Sequence, residues 1–259
     1  MGSDGGRRRA GTGGEPGAAA PGSRGRHPTR AMTVRQIAAV KTARYVVLGP
    51  EDGPADEVWV ACHGYGQLAT YFARHFRAVA RASRLVVVPE ALSRFYLDGP
   101  GAGGRYTRVG ATWMTREERE TDIADVTRYL DDVLVAACAR ADADPLSVPL
   151  GVLGFSQGTA TTSRWIALSP LLARRPRPAD RLVAWGGGLA HDLDLGAWPR
   201  GVDLRLVAGD RDEVATPGRI VREEARLREA GIDFKLARYD GGHRLHEATL
   251  RAVTEPLAR

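Results

Sequence analysis

The twelve residues Val148-Pro149-Leu150-Gly151-Val152-Leu153-Gly154-Phe155-Ser156-Gln157-Gly158-Thr159 constrain what this chain can fold into more than any other stretch. An apolar run of strand length passes straight into small residues, and a helical apolar pattern follows at once. The junction holds Gly154-x-Ser156-x-Gly158, the spacing of a nucleophile elbow. A strand that turns directly into a helix forces its central residue into strained backbone angles. The flanking positions come so near their neighbours that little beyond hydrogen fits on Cα. The result is a serine hydroxyl held out at the carboxyl end of a sheet, with a helix N-terminus behind it.

The rest of the chain has the right rhythm for such a sheet. Residues 34–40 and 44–48 read as two short strands, plausible as an edge hairpin. Residues 58–62 form a near-continuous apolar run of the kind found in buried parallel strands, ending in His63-Gly64-Tyr65-Gly66. Helical spacing follows over 67–83, a second buried strand over 85–88, and a long amphipathic helix over 117–140. Beyond the elbow, strands are expected at 181–185, 203–208 and 234–239, with helices at 216–230 and 244–257. Strands alternating with helices at these intervals imply an α/β, mostly parallel, doubly wound sheet with helices on both faces. Residues 89–116 interrupt the alternation with Phe95, Tyr96, Tyr106, Trp113 and Met114 around a glycine-rich tip at 99–104.

At 259 residues and 43% hydrophobic, the chain suits one α/β domain, placed at 32–259. Residues 1–31 carry almost no large apolar side chain and are expected to be disordered. Arg7-Arg8-Arg9 is not followed by the apolar segment of an export signal, and Met32 is an alternative start. Residues 1–30 hold six arginines against Asp4 and Glu15, a net of +4. Only +2 of the total +6 therefore belongs to the body. No basic stripe with interleaved aromatics suggests a nucleic-acid partner, and no run reaches the roughly 20 apolar residues of a membrane span. Cys62 and Cys138, far apart in a strand and a helix, point to a reducing, cytoplasmic compartment rather than a disulfide framework.

A serine hydroxyl is a weak nucleophile at neutral pH and needs a base, which needs an orienting acid. In enzymes built on this elbow the chain order is Ser, then Asp or Glu, then His. Gly209-Asp210-Arg211-Asp212 follows an expected strand, and its loop lies on the same rim as the elbow. Asp212 is the expected acid; Asp210 is its rival, read as a residue that caps the turn by bonding nearby amides. Asp240-Gly241-Gly242-His243 follows the last strand, and His243 has the order and place of the base. The oxyanion donors are expected to be the backbone N–H groups of Gln157, after the nucleophile, and Tyr65. His63 is expected to brace that loop. His243 and His246 lack a second ligand pair, so no metal site is expected.

Together, His63-Gly64-Tyr65-Gly66, Gly154-Phe155-Ser156-Gln157-Gly158, Gly209-Asp210-Arg211-Asp212 and Gly241-Gly242-His243 resemble the α/β-hydrolase superfamily. Within it they resemble the bacterial phospholipase/carboxylesterase family, related to acyl-protein thioesterases. The Gly-Phe-Ser-Gln-Gly elbow is the most specific motif, and the resemblance runs from about Val58 to the C-terminus. It implies a cofactor-free serine hydrolase acting on small carboxylic esters or thioesters. Residues 93–112 are least like the family and are the expected source of substrate preference; the pocket is expected to be lined from 93–114, with Trp113, Phe95 and Tyr96 as candidates and ordinary core packing as the other reading of Trp113 and Phe95. An acyltransferase with the same triad, or a non-catalytic ligand-binding protein of this fold, are the alternatives. The substrate and the oligomeric state are not legible.

Overall fold

The computed structural model describes residues 32–50, 53–99 and 105–257. The expected disordered segment 1–31 and most of the glycine-rich tip lie outside them. The chain divides into two units, Met1–Lys41 and Thr42–Arg259. In the first, residues 32–41 form no helix or strand, so the strand expected at 34–40 is absent. A strand exists only through a partner's hydrogen-bond ladder, and this segment has none among the described residues.

The second unit is built on a seven-stranded sheet, assembled from β1 (Tyr45–Leu48), β2 (Glu57–Cys62), β3 (Arg84–Pro89), β6 (Leu150–Phe155), β7 (Arg181–Trp185), β8 (Asp203–Gly209) and β9 (Phe234–Tyr239). Their order across the sheet is β1-β3-β2-β6-β7-β8-β9. Only β1 runs antiparallel, paired with β3 at the edge. The two strands between β3 and β6, β4 (Ser93–Tyr96) and β5 (Val109–Thr112), form a separate antiparallel hairpin within the segment that interrupts the sheet–helix alternation.

Alternation along the central strands separates two cores. Val58, Val60 and Cys62 of β2 face one core, with Val126 and Leu130 of α2 (Arg119–Arg140), Trp165 of α3 (Gln157–Leu168) and Leu227 of α4 (Pro217–Glu229). Trp59 and Ala61 face the other, with Phe72 of α1 (Ala69–Phe72) and Leu250 of α5 (Glu247–Val253). Helices thus cover both faces, as the doubly wound pattern requires. Two helices are shorter than their apolar spacing suggests. The helix expected over 67–83 is one α-turn continued by 3₁₀ geometry over Ala73–Ala78, and the one expected over 244–257 spans Glu247–Val253. In both, burial against the sheet, rather than helical periodicity, sets the spacing of the large side chains.

Parallel pairing of β2, β6, β7, β8 and β9 brings their carboxyl ends to one rim. The chain leaves that rim as His63-Gly64-Tyr65-Gly66, Ser156, Gly186-Gly187-Gly188, Asp212 and His243.

Candidate active site

The elbow has the geometry its sequence demands. Ser156 has φ 55 and ψ −117, outside the regions that L side chains favour. A Cβ on Gly154 would run into the Gly158 carbonyl, and one on Gly158 into the Cys62 carbonyl, so the helix starts against the end of β2. The Ser156 N–H donates to the Trp185 carbonyl (2.8 Å), tying the elbow to β7.

Asp212 is buried, its side chain 1% exposed. Its Oδ1 accepts from the Val214 and Ala215 N–H groups (2.8 and 2.7 Å), and its Oδ2 lies 2.8 Å from His243 Nδ1. A carboxylate only accepts, so Nδ1 carries the proton and Nε2 presents its lone pair. Backbone bonds hold the acid and histidine loops together: Arg211 N–H donates to the Gly241 carbonyl and Asp210 N–H to the Tyr239 carbonyl. Asp210 itself is half exposed and pairs with Arg238 at 3.6 Å. The turn-capping role read for Asp210 thus falls to Asp212, because only the deeper side chain reaches the turning amides.

The His243 ring is tilted by 33° against that of Phe155, the residue before Ser156, with centroids 4.8 Å apart. A Cβ on Gly186 would meet the ring at 2.9 Å, so the bare backbone there makes its floor. Among the described residues no hydrogen bond joins Ser156 Oγ to His243; in unliganded enzymes such bonds are often long and tighten in the complex.

The loop after β2 passes close over Ser156: a Cβ on Gly64 would lie 3.2 Å from Ser156 Cβ. The Gly64 N–H is taken by Gln67 Oε1 (2.8 Å) and the Gly66 N–H by the Ala111 carbonyl (2.9 Å). No acceptor among the described residues takes the N–H of Tyr65 or of Gln157. His63 is fully buried: Nδ1 lies 2.8 Å from the Gly64 carbonyl and Nε2 accepts from the Ala91 N–H (3.1 Å). It is therefore the Nδ1–H tautomer, and burial holds its pKa below the usual histidine value.

Of the two readings of Trp113, pocket wall or core packing, the structure shows the second. It is 2% exposed in the core beside α2, and its indole N–H donates to the His63 carbonyl (2.8 Å). A large ring with one donor is stable inside when that donor is satisfied, as here. Phe95 lies on the hairpin with its ring 5.2 Å from that of Tyr65, and Tyr96 faces outward, stacked on Tyr106. The cleft that opens beside Ser156, about 640 Å³, is lined by none of these three; its wall comes from Gly186-Gly187-Gly188, Ala190, Val214 and the arginines of α4. The reason is topological: it lies toward the loop after β7 and the start of α4, whereas the hairpin is bonded to the loop after β2. Sequence reading missed this wall, and also the Gln157 side chain. That side chain donates to Thr112 Oγ1 (2.9 Å) and the Met114 carbonyl (3.1 Å), and accepts from the Trp113 N–H (3.2 Å). Its place in Gly-Phe-Ser-Gln-Gly was the only signal.

Among the described residues no group of three or more His, Cys, Asp or Glu side chains is arranged to hold a metal ion. Nor is any helix among them long and apolar enough to cross a membrane. Cys62 and Cys138 are both buried and free, and burial raises both thiol pKa values, that of Cys138 to about 11.

No family model and no curated protein matches the sequence. Solved structures do resemble it. The esterase PE8 is 21% identical, with a TM-score of 0.57 over 82% of this chain and 100% of its own. A carboxylesterase from Mesorhizobium loti is 18% identical, with a TM-score of 0.57 over 81% of this chain and 93% of its own. Acyl-protein thioesterase 2 from Zea mays is 19% identical, with a TM-score of 0.54 over 82% and 96%. The fold is the α/β-hydrolase fold, and these neighbours bear the names of the family that the motifs resemble.

Proposed function

We propose that the protein is a serine hydrolase, a carboxylesterase that cleaves small carboxylic esters through an acyl-enzyme. The observation that carries this reading is the strained Ser156 on the same rim as His243, whose Nδ1 lies 2.8 Å from the buried Asp212 carboxylate. Ser156 Oγ attacks the ester carbonyl while His243 Nε2 takes its proton, forming a tetrahedral adduct whose oxyanion the free N–H groups of Tyr65 and Gln157 receive. The C–O bond to the alcohol then breaks, and His243 returns the proton to the departing oxygen. Water repeats the sequence: His243 takes its proton, its oxygen attacks the acyl carbon, and Ser156 leaves with the proton restored. Asp212 holds the imidazole and stabilises the imidazolium formed in each half. No bound cofactor or metal is required by these steps, and the buried thiols fit the cytoplasmic compartment inferred above.

The test is Ser156→Ala. The variant should keep the wild-type melting temperature and lose about 10⁴-fold or more of 4-nitrophenyl ester turnover. A fluorophosphonate probe should label wild type only; equal labelling of both proteins would sink the assignment, and so would wild type that turns over no ester from acetate to dodecanoate. Product analysis with an added alcohol separates hydrolysis from acyl transfer to that acceptor, and a matched thioester tests the same chemistry on sulfur.

A further inference from the structure

The cleft beside Ser156 is walled by five arginines: Arg119, Arg164, Arg219, Arg222 and Arg226. Three already have carboxylate partners. Arg164 makes a bidentate pair with Asp192, which Arg119 also contacts at 2.7 Å. Burial alone would raise the Asp192 pKa, but these guanidinium groups outweigh it and hold it at about 2. Arg226 pairs with Glu223 (2.9 Å) and donates to the Leu189 and Ala190 carbonyls. Glu223 is itself buried and spends Oε1 on the Leu189 N–H (2.8 Å).

The other two are open. Both are exposed cleft-lining residues: among the described residues Arg219 donates only to the Val214 carbonyl (3.0 Å), and Arg222 has no hydrogen-bond or ion-pair partner. Arg222 Nη1 lies back toward Gly218, so both guanidinium groups gather near the start of α4, beside the Val214 turn that carries Asp212. This arrangement has a local cost. The first turn of α4 has no acidic residue, and its dipole disfavours cations at that end. Two uncompensated cations on the unfavourable end of a helix, facing the nucleophile's cleft, are the local inconsistency expected where a ligand supplies the missing charge.

We propose that Arg219 and Arg222 form an anion-binding subsite, and that the preferred substrates are esters bearing a carboxylate or similar anion at their far end. This rests on the acyl-transfer reading of Ser156. Arginine's planar fork suits a carboxylate bidentately, and the unpaired pair adds an attraction that a neutral ester cannot use. The anion can belong to the acyl part or to the alcohol, and the probes separate the two.

The experiment compares kcat/KM for mono-4-nitrophenyl glutarate against 4-nitrophenyl butyrate, and for 4-carboxyphenyl butyrate against phenyl butyrate. In at least one pair the anionic ester should be preferred, the ratio falling as NaCl is raised. In the double variant Arg219→Gln, Arg222→Gln that ratio should drop about tenfold or more, the order expected for losing a charge-assisted hydrogen bond. Using the ratio removes any general loss of activity from the comparison. Calorimetric titration of glutarate into both proteins gives a readout independent of turnover: wild type should bind it and the variant more weakly. A neutral preference in both pairs, a ratio unmoved by the double substitution, or equal glutarate binding would overturn the subsite. Failure of both neutral and anionic turnover together with retained glutarate binding would instead count against the hydrolase reading and leave the subsite standing.

Discussion

The two walls that flank Ser156 are built on opposite principles. On the β2 side the β4–β5 hairpin is tied by hydrogen bonds to the loop after β2 and to Gln157. Gly66 N–H donates to the Ala111 carbonyl, Ala111 N–H to the Gln67 carbonyl, and the Gln157 amide clamps Thr112, Trp113 and Met114. These donors and acceptors are spent inside the protein. On the β7 and β8 side, α4 presents guanidinium groups that the protein leaves without carboxylates. Groups that fix geometry are saturated, because an unsatisfied buried polar group is costly. Groups positioned to recognise a ligand are left unsaturated, because their partner arrives with it. Between the walls, Asp212 belongs to the first kind, with three donors on one buried carboxylate.

The largest expected effect comes from breaking that central group. Asp212→Asn preserves shape but favours the wrong imidazole tautomer, and should cost about 10⁴-fold in kcat. Asp210→Asn, on a half-exposed side chain bound only to Arg238, should change rate and melting temperature little. If Asp210→Asn proves the more damaging to turnover, the acid has been misassigned.

Next is the saturated wall. Trp113→Ala removes a buried ring and the donor to the His63 carbonyl, and should cost about 3–5 kcal/mol in denaturant melts. A variant of unchanged stability with altered ester chain-length preference would instead make this wall part of the pocket.

Gln157→Ala keeps the backbone donor but removes the clamp. Stability should fall by about 1–2 kcal/mol as hairpin polar groups lose partners. kcat should fall as well, with KM for short esters little changed, since the clamp acts on the donor frame rather than on bound substrate. Unaltered kcat would show that the hairpin does not position the site.

The smallest effect is a pH slope. His63 is buried and neutral, with its pKa lowered by burial. Below about pH 6.5 the unfolded state takes a proton that the folded state resists, so stability is present above that pH and lost as pH falls. Urea melts of wild type should show a slope of at most about 1.4 kcal/mol per pH unit from this group, and His63→Gln should flatten it. An identical slope in the variant would assign the acid sensitivity elsewhere.

Much of this site was legible along the chain because its rules are local. Gly154-x-Ser156-x-Gly158 encodes its own turn, since a side chain at either glycine would strike backbone. Asp212 and His243 were findable because each follows a strand, and parallel strands deliver such loops to one rim. The segment at 34–40 shows the limit of the same reasoning: its apolar pattern suits a strand, but a strand needs a partner that sequence does not name. Residues 93–114 had the composition of a pocket, yet Trp113 is core, because whether an aromatic ring meets solvent or a helix depends on what packs over it. The cleft was wholly out of reach. It joins Ser156 to Arg219 and Arg222 across more than sixty residues. The sequence by itself determined the turn, the chain order of Ser156, Asp212 and His243 and the parallel sheet, through steric and periodic constraints between near neighbours. Tertiary structure alone decided which wall each side chain faces and which charges are left open, because those follow from packing between distant elements.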